Sequence, residues 1–369
     1  HATPTTFPVP MTAWRTLATQ VLNGTPLSSS QALDVVHADD DEVLALLDAA
    51  FRVRRHHHGR RVRIHVLQNA KSGVCPEDCA FCSQSLKFDS DPEQYGMQQV
   101  DQIVEGAKAA WDKGAVTYCI VTATRGPHSS EVDVVCEATR RIKETYPMDV
   151  CASLGLLDAE QARKLADAGV DRYNHNLETS CDHFENVVTT HEWSDRVETV
   201  KQAKAAGMEA CCGGIIGLGE ARADWVDLAL ALREIGVESV PVNFLNPRSG
   251  TPLEDVDTVR PQDCLKALAM FRLVHPEADL RMAGGREVVL DQMQPLALYA
   301  ANSFFTDGYL TTGGQGESKD YRMIQQAGFE PVIVEDGPER QTPATADDTP
   351  SGGCEAADRR RQTSAGPAG

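Results

Sequence analysis

From about residue 62 onward, the chain repeats one pattern, in which a short β-branched segment is followed by an amphipathic helical segment. This alternation predicts parallel strands joined by crossover helices, because a tight turn cannot connect parallel strands. Several of the helical segments end at a glycine directly after the last periodic residue, as many helices do. The predicted strands span residues 62–70, 116–123, 148–155, 170–178, 208–217, 237–244, 278–285 and 301–308.

Eight such units in series predict an α/β fold, a (β/α)8 barrel of the TIM type, with an open parallel sheet as the alternative. The sequence predicts an N-terminal helical extension over residues 1–61, and it predicts that the barrel spans residues 62–330. Residues 331–369 are rich in Pro, Gly, Ser, Thr and Asp, which predicts a disordered tail. The segment RRHHHGRR at 54–61 offers three histidines to a metal ion. Its arginines repel cations, so we expect a solvated basic segment.

Charge and cysteine content restrict the class of protein. The net charge is −19, and such an acidic surface argues against nucleic acid or anionic lipid as a partner. No apolar run of about 18 residues is present, so no transmembrane helix is expected. The 11 cysteines in a chain of 369 residues do not form a short secreted disulfide framework, and no signal-peptide pattern begins the sequence. These features predict a cytoplasmic protein whose thiols are free or bind metal.

Three cysteines follow the first predicted strand in the pattern C-x3-C-x2-C: Cys75, Cys79 and Cys82. In a barrel this segment would lie on the C-terminal face, where barrel active sites are found. One interpretation is a structural zinc knuckle with a distant fourth ligand. The other is a [4Fe–4S] cluster with three thiolate ligands and one open iron, to which a substrate or cofactor can bind.

The second interpretation is favoured because the pattern resembles that of the radical S-adenosylmethionine superfamily. In that superfamily S-adenosylmethionine chelates the open iron, and an aromatic residue in the place of Phe81 commonly lies beside the adenine. Together with the segments YNHNLET, GGIIGLGE and GGRE, the loop CPEDCAFCSQS resembles the biotin synthase family. The similarity extends over about residues 10–330.

This resemblance implies an enzyme that converts dethiobiotin to biotin. A radical derived from S-adenosylmethionine would abstract hydrogen from dethiobiotin, and an interior [2Fe–2S] cluster would supply the sulfur. The resemblance also implies a reducing electron-donor protein of the flavodoxin or ferredoxin type, and a homodimer.

A second set of cysteines falls within predicted strands: Cys119, Cys151 and Cys211 lie on the second, third and fifth, and Arg281 on the seventh. Inward side chains of barrel strands converge on the axis. A single cysteine is most often a small buried hydrophobe, but an inward arginine is costly unless a negative charge compensates it. The resemblance implies that these four residues hold the [2Fe–2S] cluster. Cys212 should face the opposite side of its strand, and we expect Cys136, Cys181 and Cys264 to be structural.

Polar side chains alternate near the end of the fourth predicted strand, at Asn174, Asn176 and Glu178, so they should share one face. Three inward polar groups need partners. The resemblance implies that Asn174 contacts the ureido ring of dethiobiotin, whereas Asn176 and Glu178 bind the ribose and the methionine end of S-adenosylmethionine. Asn243 is a further candidate on the substrate side.

The segment GGIIGLGE contains Gly213, Gly214 and Gly217. Its spacing matches neither a dinucleotide fingerprint nor a P-loop. A tight strand-to-helix turn would explain these glycines, because glycine permits close approach of a backbone or ligand. The resemblance implies instead that the segment is the turn that binds S-adenosylmethionine.

Two other functions fit parts of the pattern. A maturase or mutase of the same superfamily would share the first cluster but would lack the interior cysteines and arginine. A metal-binding scaffold without catalysis would bind zinc and would have no use for Asn174 or the glycine turn.

Overall fold

The computed structural model describes residues 11–306, 310 and 314–340. Its helices are α1 (Met11–Leu22), α2 (Ser29–His37), α3 (Val43–His58), α4 (Val100–Asp112), α5 (Ser129–Thr145), α6 (Ala159–Asp167), α7 (Cys181–Phe184), α8 (Trp193–Ala205), α9 (Arg222–Ile235), α10 (Pro261–Val274), α11 (Arg286–Val289), α12 (Gln294–Ala297) and α13 (Glu317–Gln326). Short 3-10 helices span Asp40–Glu42 and Asp291–Met293. The strands are β1 (Arg61–Lys71), β2 (Thr117–Thr122), β3 (Asp149–Ser153), β4 (Arg172–Asn174), β5 (Glu209–Cys211), β6 (Gly214–Ile216), β7 (Ser239–Phe244), β8 (Asp279–Met282), β9 (Ser303–Phe305) and β10 (Glu330–Pro331).

The strands form a closed parallel barrel. Strand β1 pairs with β2 on one side and with β9 on the other, and this second pairing closes the sheet. Strands β5 and β6 are two parts of one predicted strand, and both pair with β7. The predicted TIM-type (β/α)8 barrel is therefore confirmed, with all eight predicted strands present. The short β10 was not predicted, and it pairs with the start of β1.

The apolar core lies mainly between the strands and the surrounding helices. Ile64, Val240 and Leu280 are completely buried there together with residues of α10. Side chains alternate across a strand. His65, next to Ile64, and Arg281, next to Leu280, therefore face the barrel interior, which is polar at this level. Among the described residues, no helix combines the length and the apolar composition that a membrane crossing requires.

The basic segment at 54–61 is where the structure corrects a prediction. Helix α3 continues to His58, and Arg54 is completely buried. The Nε atom of Arg54 donates to the carbonyl of Ala301 at 3.0 Å, and Nη2 donates to the carbonyl of Arg61 at 2.9 Å. The expectation of a solvated segment was wrong for Arg54, whose guanidinium donates to backbone carbonyls instead of water. Other basic residues of the segment are exposed, namely Arg55, His56, Arg60 and Arg61.

The chain continues against the barrel beyond the boundary predicted at residue 331. Pro331 pairs with Val62, and Nε1 of Trp111 donates to the carbonyl of Pro338 at 3.0 Å. The guanidinium of Arg340 stacks over the Trp111 ring at 4.0 Å from its centre. The ring of Trp111 thus gives residues 331–340 a contact that composition alone did not predict. Residues 341–369 of the predicted tail and residues 1–10 of the predicted extension lie outside the described residues.

Candidate active site

A cavity of about 280 Å³ opens at the C-terminal ends of the barrel strands. Its walls include the three cysteines of the loop after β1, which we call the loop cysteines (Cys75, Cys79 and Cys82). They also include Cys119 and Cys151, from within β2 and β3. With Cys211 of β5, these two form a set that we call the strand cysteines.

Backbone hydrogen bonds hold the loop cysteines in place. The N–H of Cys75 donates to the carbonyl of Gln84 at 3.1 Å, and the carbonyl of Cys75 accepts from Leu86 at 2.8 Å. The N–H of Cys82 donates to the carbonyl of Cys79 at 2.9 Å. Burial raises the pKa of all three thiols, to about 11 for Cys82. A metal centre bound here would therefore have to displace protons.

The guanidinium of Arg196, on α8, connects this loop to the end of β4. Its Nη2 atom lies 3.6 Å from the Sγ atom of Cys79. Its Nη1 atom donates to the carbonyl of Asn176 at 2.8 Å and lies 3.4 Å from Oε1 of Glu178. Sequence reasoning missed this residue, because Arg196 belongs to an ordinary amphipathic helix with no motif around it.

A histidine and a carboxylate hold Arg196 from the other side. Nε of Arg196 donates to Nε2 of His191 at 2.9 Å, so Nδ1 of His191 carries the proton that is donated to Glu77. Burial and the positive charge of Arg196 lower the pKa of His191, which favours this neutral form. Although burial acts in the opposite direction, hydrogen bonds from Thr190 and His191 lower the pKa of Glu77. Arg125 donates to the second oxygen of Glu77 at 3.0 Å.

The alternating polar residues Asn174, Asn176 and Glu178 all line the cavity, as their spacing predicted. Nδ2 of Asn174 lies 3.4 Å from Sγ of Cys211, and Nδ2 of Asn176 lies 3.4 Å from Oε2 of Glu178. The regular strand is shorter than predicted, since β4 ends at Asn174. Glu178 has a φ of 69°, in the left-handed region. Burial raises the pKa of its carboxyl group.

The glycines of GGIIGLGE lie where backbones approach each other closely. A Cβ atom on Gly213 would be 1.9 Å from the carbonyl oxygen of Pro241, and one on Gly214 would be 2.4 Å from that of Glu178. Gly217 has a φ of 104°. In the part of the chain that the structure describes, none of these three glycines lines the cavity. Gly217 lies between β6 and α9, so its geometry fits the tight strand-to-helix turn considered for this segment. Gly213 and Gly214 allow close backbone packing.

Ile215, between those glycines, does line the cavity, as do the predicted residues Phe81 and Asn243. Both polar ends of the Asn243 side chain are occupied by backbone groups. Its Nδ2 donates to the carbonyl of Gly214 at 3.1 Å, and its Oδ1 accepts from the N–H of Gly284 at 2.8 Å. Asn243 therefore links the backbone at Gly214 to the backbone at Gly284, and both lie beside the cavity wall.

The strand cysteines meet inside the barrel. Cys119 and Cys151 are direct partners on β2 and β3. The Cys151 thiol lies within hydrogen-bonding reach of the thiols of Cys119 and Cys211, and the contact with Cys119, followed by burial, raises its pKa well above the usual value. Ala283 and Phe305 complete this small buried group. The convergence predicted from the strand positions is thus present.

Arg281 lies beside the strand cysteines. Its Nη1 atom is 3.5 Å from Sγ of Cys211, and its Nη2 donates to Oγ of Ser239 at 3.1 Å. Its guanidinium lies over the ring of Phe305, 5.0 Å from the centre. The buried Nε atom has no hydrogen-bond partner among the described residues. A buried cation with an unused donor next to three thiols fits an anionic iron–sulfur cluster.

The remaining cysteines of the described chain lie elsewhere. Cys212 is buried in the apolar core on the opposite side from Cys211, as alternation along a strand predicts. Cys136 and Cys264 are buried, and Cys181 is exposed. In the part of the chain that the structure describes, no three His, Cys, Asp or Glu side chains are arranged to hold a single metal ion. The assignment of clusters therefore rests on ligand type, position and family.

Two family models match adjoining parts of the chain. The model described as Radical SAM superfamily matches residues 70–232, which include the loop cysteines and the polar residues after β4. The model described as Biotin and Thiamin Synthesis associated domain matches residues 241–330, which include Arg281.

Curated relatives match over most of their length. A biotin synthase of Salinibacter ruber (strain DSM 13855 / M31) is 99% identical over 97% of this chain and 100% of the relative. The chain belongs to the biotin synthase family. More distant biotin synthases include that of Rhodopirellula baltica, 50% identical over 85% of this chain and 88% of the relative. That of Bacillus subtilis (strain 168) is 48% identical over 88% of this chain and 97% of the relative.

Solved structures of other enzymes share the fold of this biotin synthase family member. A methylornithine synthase superposes with a TM-score of 0.74 at 19% identity, covering 86% of this chain and 97% of that chain. An FeFe-hydrogenase maturase from Carboxydothermus hydrogenoformans gives a TM-score of 0.74 at 16% identity, covering 89% of this chain and 81% of that chain. The predicted family and its enzymatic character are confirmed. Membership of the radical S-adenosylmethionine superfamily implies that S-adenosylmethionine and a [4Fe–4S] cluster are cofactors.

Proposed function

We propose that this biotin synthase family member inserts sulfur into dethiobiotin, and that the sulfur comes from a [2Fe–2S] cluster held inside the barrel. The observation that carries the proposal is one cavity whose walls include both the loop cysteines and, from the strands, Cys119, Cys151 and Arg281. A substrate in that cavity would have one cluster site on the loop side and another on the barrel side.

The loop cysteines would hold the [4Fe–4S] cluster, and the strand cysteines with Arg281 would hold the [2Fe–2S] cluster. When bound, the two clusters and S-adenosylmethionine would supply an electron, a hydrogen-abstracting radical and sulfur. The protein would contribute binding, orientation and the exclusion of water. The burial of the strand cysteines supports this last role.

S-adenosylmethionine would bind between the loop cysteines and the end of β4. Arg196 lines the cavity there and is suited to a carboxylate, because a guanidinium forms charge-assisted hydrogen bonds. Asn176 and Glu178 offer polar groups for the ribose and the methionine amine, and Phe81 offers a ring for the adenine. The glycines Gly213, Gly214 and Gly217 would support this site indirectly, by allowing the backbone that carries Ile215 to lie close to β7.

Dethiobiotin would bind deeper, beside Asn174. The Nδ2 atom of Asn174 already contacts Cys211, and among the described residues no group donates to its Oδ1 atom. That oxygen can therefore accept from a ureido N–H of dethiobiotin. Asn243 would act by keeping the opposite wall in place, since both ends of its amide are occupied.

The proposal extends to partners that only the family resemblance supports. The first cluster needs an electron, for which a reducing protein of the flavodoxin or ferredoxin type is suited. We also propose a homodimer that acts in the cytoplasm.

An isotope experiment tests the source of the sulfur. The interior cluster is rebuilt anaerobically with labelled sulfide, one turnover is run with dethiobiotin, and the biotin formed is weighed by mass spectrometry. Labelled biotin is expected. Unlabelled biotin from a fully labelled cluster would show that the sulfur comes from elsewhere.

Iron and sulfide content, measured anaerobically with absorption spectra, separates the alternatives. Two cluster types are expected. One [4Fe–4S] cluster alone would favour another enzyme of the superfamily, and zinc in place of iron would favour a scaffold without catalysis.

A further inference from the structure

Below the strand cysteines, the barrel interior contains a buried ionic network centred on Asp279. One oxygen of this carboxylate, Oδ2, accepts from Nη2 of Arg281 at 3.2 Å and from Nη1 of Arg172 at 3.3 Å. The same oxygen lies 3.4 Å from Nε2 of His65. These partners come from β8, β4 and β1, so the carboxylate links three walls of the barrel.

The other oxygen of Asp279 is held just as firmly. Oδ1 accepts from Nδ2 of Asn302 at 3.0 Å and from Oγ of Ser303 at 2.5 Å. With both oxygens occupied and only 7% of the residue exposed, the carboxylate has little freedom to rotate or shift. It is therefore a rigid point from which another side chain can be oriented.

The side chain that Asp279 orients is that of Arg281. The two residues are two positions apart on β8, so both face the barrel interior. Asp279, Ser239 and His65 all lie within 3.3 Å of Nη2 of Arg281, at 3.2 Å, 3.1 Å and 3.3 Å. Nη1, on the other branch of the guanidinium, is directed to Sγ of Cys211.

Arginine needs such support at this position. A free arginine side chain samples many rotamers, and ordering it costs conformational entropy. The planar guanidinium has a fixed geometry, so fixing Nη2 also fixes where Nη1 lies. Groups that orient the ligands of metal sites typically change metal affinity or activity by about 10- to 100-fold when they are removed.

We propose that Asp279 is a positioning residue for Arg281, whose guanidinium it fixes so that Nη1 faces Cys211 and the interior cluster site. This inference rests on the interior cluster of the proposed function and names a further residue on which that cluster depends. Asp279 has no place in the motifs that mark the family in the sequence, and it acts through Arg281.

The first experiment compares Asp279→Asn with wild type after anaerobic reconstitution. Asparagine keeps the size of the side chain but removes the charge that holds Arg281. The variant is expected to lose its interior cluster to an iron chelator about 10- to 100-fold faster than wild type. The loss is measured from the absorption spectrum of the cluster. The [4Fe–4S] cluster should be retained.

A matched control comes from the same network. Asp149 contacts Arg63 at 2.8 Å and Arg172 at 3.7 Å but not Arg281. Asp149→Asn is expected to keep the interior cluster and its spectrum as in wild type. Equal cluster loss in both variants would overturn the proposal, because the effect would then be a general one of charge in the network.

A double-mutant cycle tests whether Asp279 acts through Arg281. In an Arg281→Met background, Asp279→Asn is expected to cause no additional cluster loss and no additional spectral change. Additional loss of the same size as in the wild-type background would overturn the positioning role. If Asp279→Asn does not fold, Ser303→Ala is used instead, because it removes one donor to Asp279. This variant is expected to lose the interior cluster faster than wild type, by a smaller factor. Cluster loss at the wild-type rate in Ser303→Ala would overturn the proposal.

Failure of this inference is distinct from failure of the proposed function. Wild-type protein that binds no interior cluster would overturn the proposed function itself. Wild-type protein with two clusters and an Asp279→Asn variant that keeps both at the wild-type rate would overturn only the role of Asp279.

Discussion

The Nε atom of Arg196 donates to Nε2 of His191 at 2.9 Å. This bond fixes the plane of a guanidinium whose other two nitrogens reach the Sγ atom of Cys79 and the carboxylate of Glu178. His191 in turn donates to Glu77, which lies on the same loop as Cys79. One neutral histidine thereby connects the loop that would hold the first cluster to the residues that would bind S-adenosylmethionine.

Replacing this histidine should weaken the binding of S-adenosylmethionine. His191→Leu removes the acceptor for Arg196, and a hydrogen bond to a charged group contributes about 1.5–3 kcal/mol. We expect about 10- to 100-fold weaker binding, measured by anaerobic equilibrium binding, with unchanged iron content. Arg125→Gln is the control, because Arg125 contacts Glu77 but is not among the partners of Arg196. Wild-type affinity in His191→Leu would contradict the prediction.

Loss of one loop cysteine should remove only the first cluster. Cys79→Ala is expected to abolish cleavage of S-adenosylmethionine, measured as deoxyadenosine, while the absorption of the interior cluster persists. Cys136→Ala is a matched control, since Cys136 is buried on α5 and lies outside the cavity lining. Deoxyadenosine formation at the wild-type rate in Cys79→Ala would show that the loop cysteines do not hold the cluster.

A methyl group on Gly213 should destabilise the barrel. Its Cβ would lie 1.9 Å from the carbonyl oxygen of Pro241, so β6 and β7 would have to separate. Overpacking of this kind costs about 1–3 kcal/mol, to be measured by urea unfolding of the cluster-free protein. Gly96→Ala is the control, because a Cβ there would meet nothing within 4 Å. Full stability with weaker cofactor binding would instead support a direct role of Gly213 in the site.

Two truncations should differ in their effect on stability. Removal of residues 341–369 leaves every described contact in place and should change the free energy of unfolding little. Removal of residues 336–369 also removes the contacts of Pro338 and Arg340 with Trp111, a hydrogen bond and a cation–π contact. Together these contribute about 1–2 kcal/mol, which thermal unfolding of both variants would reveal as a lower midpoint for the shorter chain.

The parts of the fold that follow from periodicity were predictable. The alternation of strands and helices predicted the barrel. The positions of Cys119, Cys151 and Cys211 on their strands predicted that these side chains lie close together. The loop cysteines were predictable because their ligand pattern is local. In each case the information lies within one segment or in the register of neighbouring strands.

The parts that depend on long-range side-chain networks were not predictable. Arg196 and Cys79 are 117 positions apart and meet only because two loops converge above the barrel. Asp279 gave no signal either, since a single acidic residue in a strand has no pattern. We predicted that Arg54 would be solvated because it begins a run of basic residues, yet it lies on the inward face of α3.

The pairing of β1 with β9 has a consequence for how the enzyme is made. Strand β1, which precedes the loop cysteines, is synthesised before the other strands, whereas its partner Ser303–Phe305 is synthesised near the end of the described chain. During most of translation, the nascent cysteines therefore have no closed wall to separate them from the surroundings. We therefore expect iron and sulfide to be delivered to completed chains, because the β1–β9 pairing closes the barrel around the strand cysteines only when Ser303–Phe305 has been synthesised.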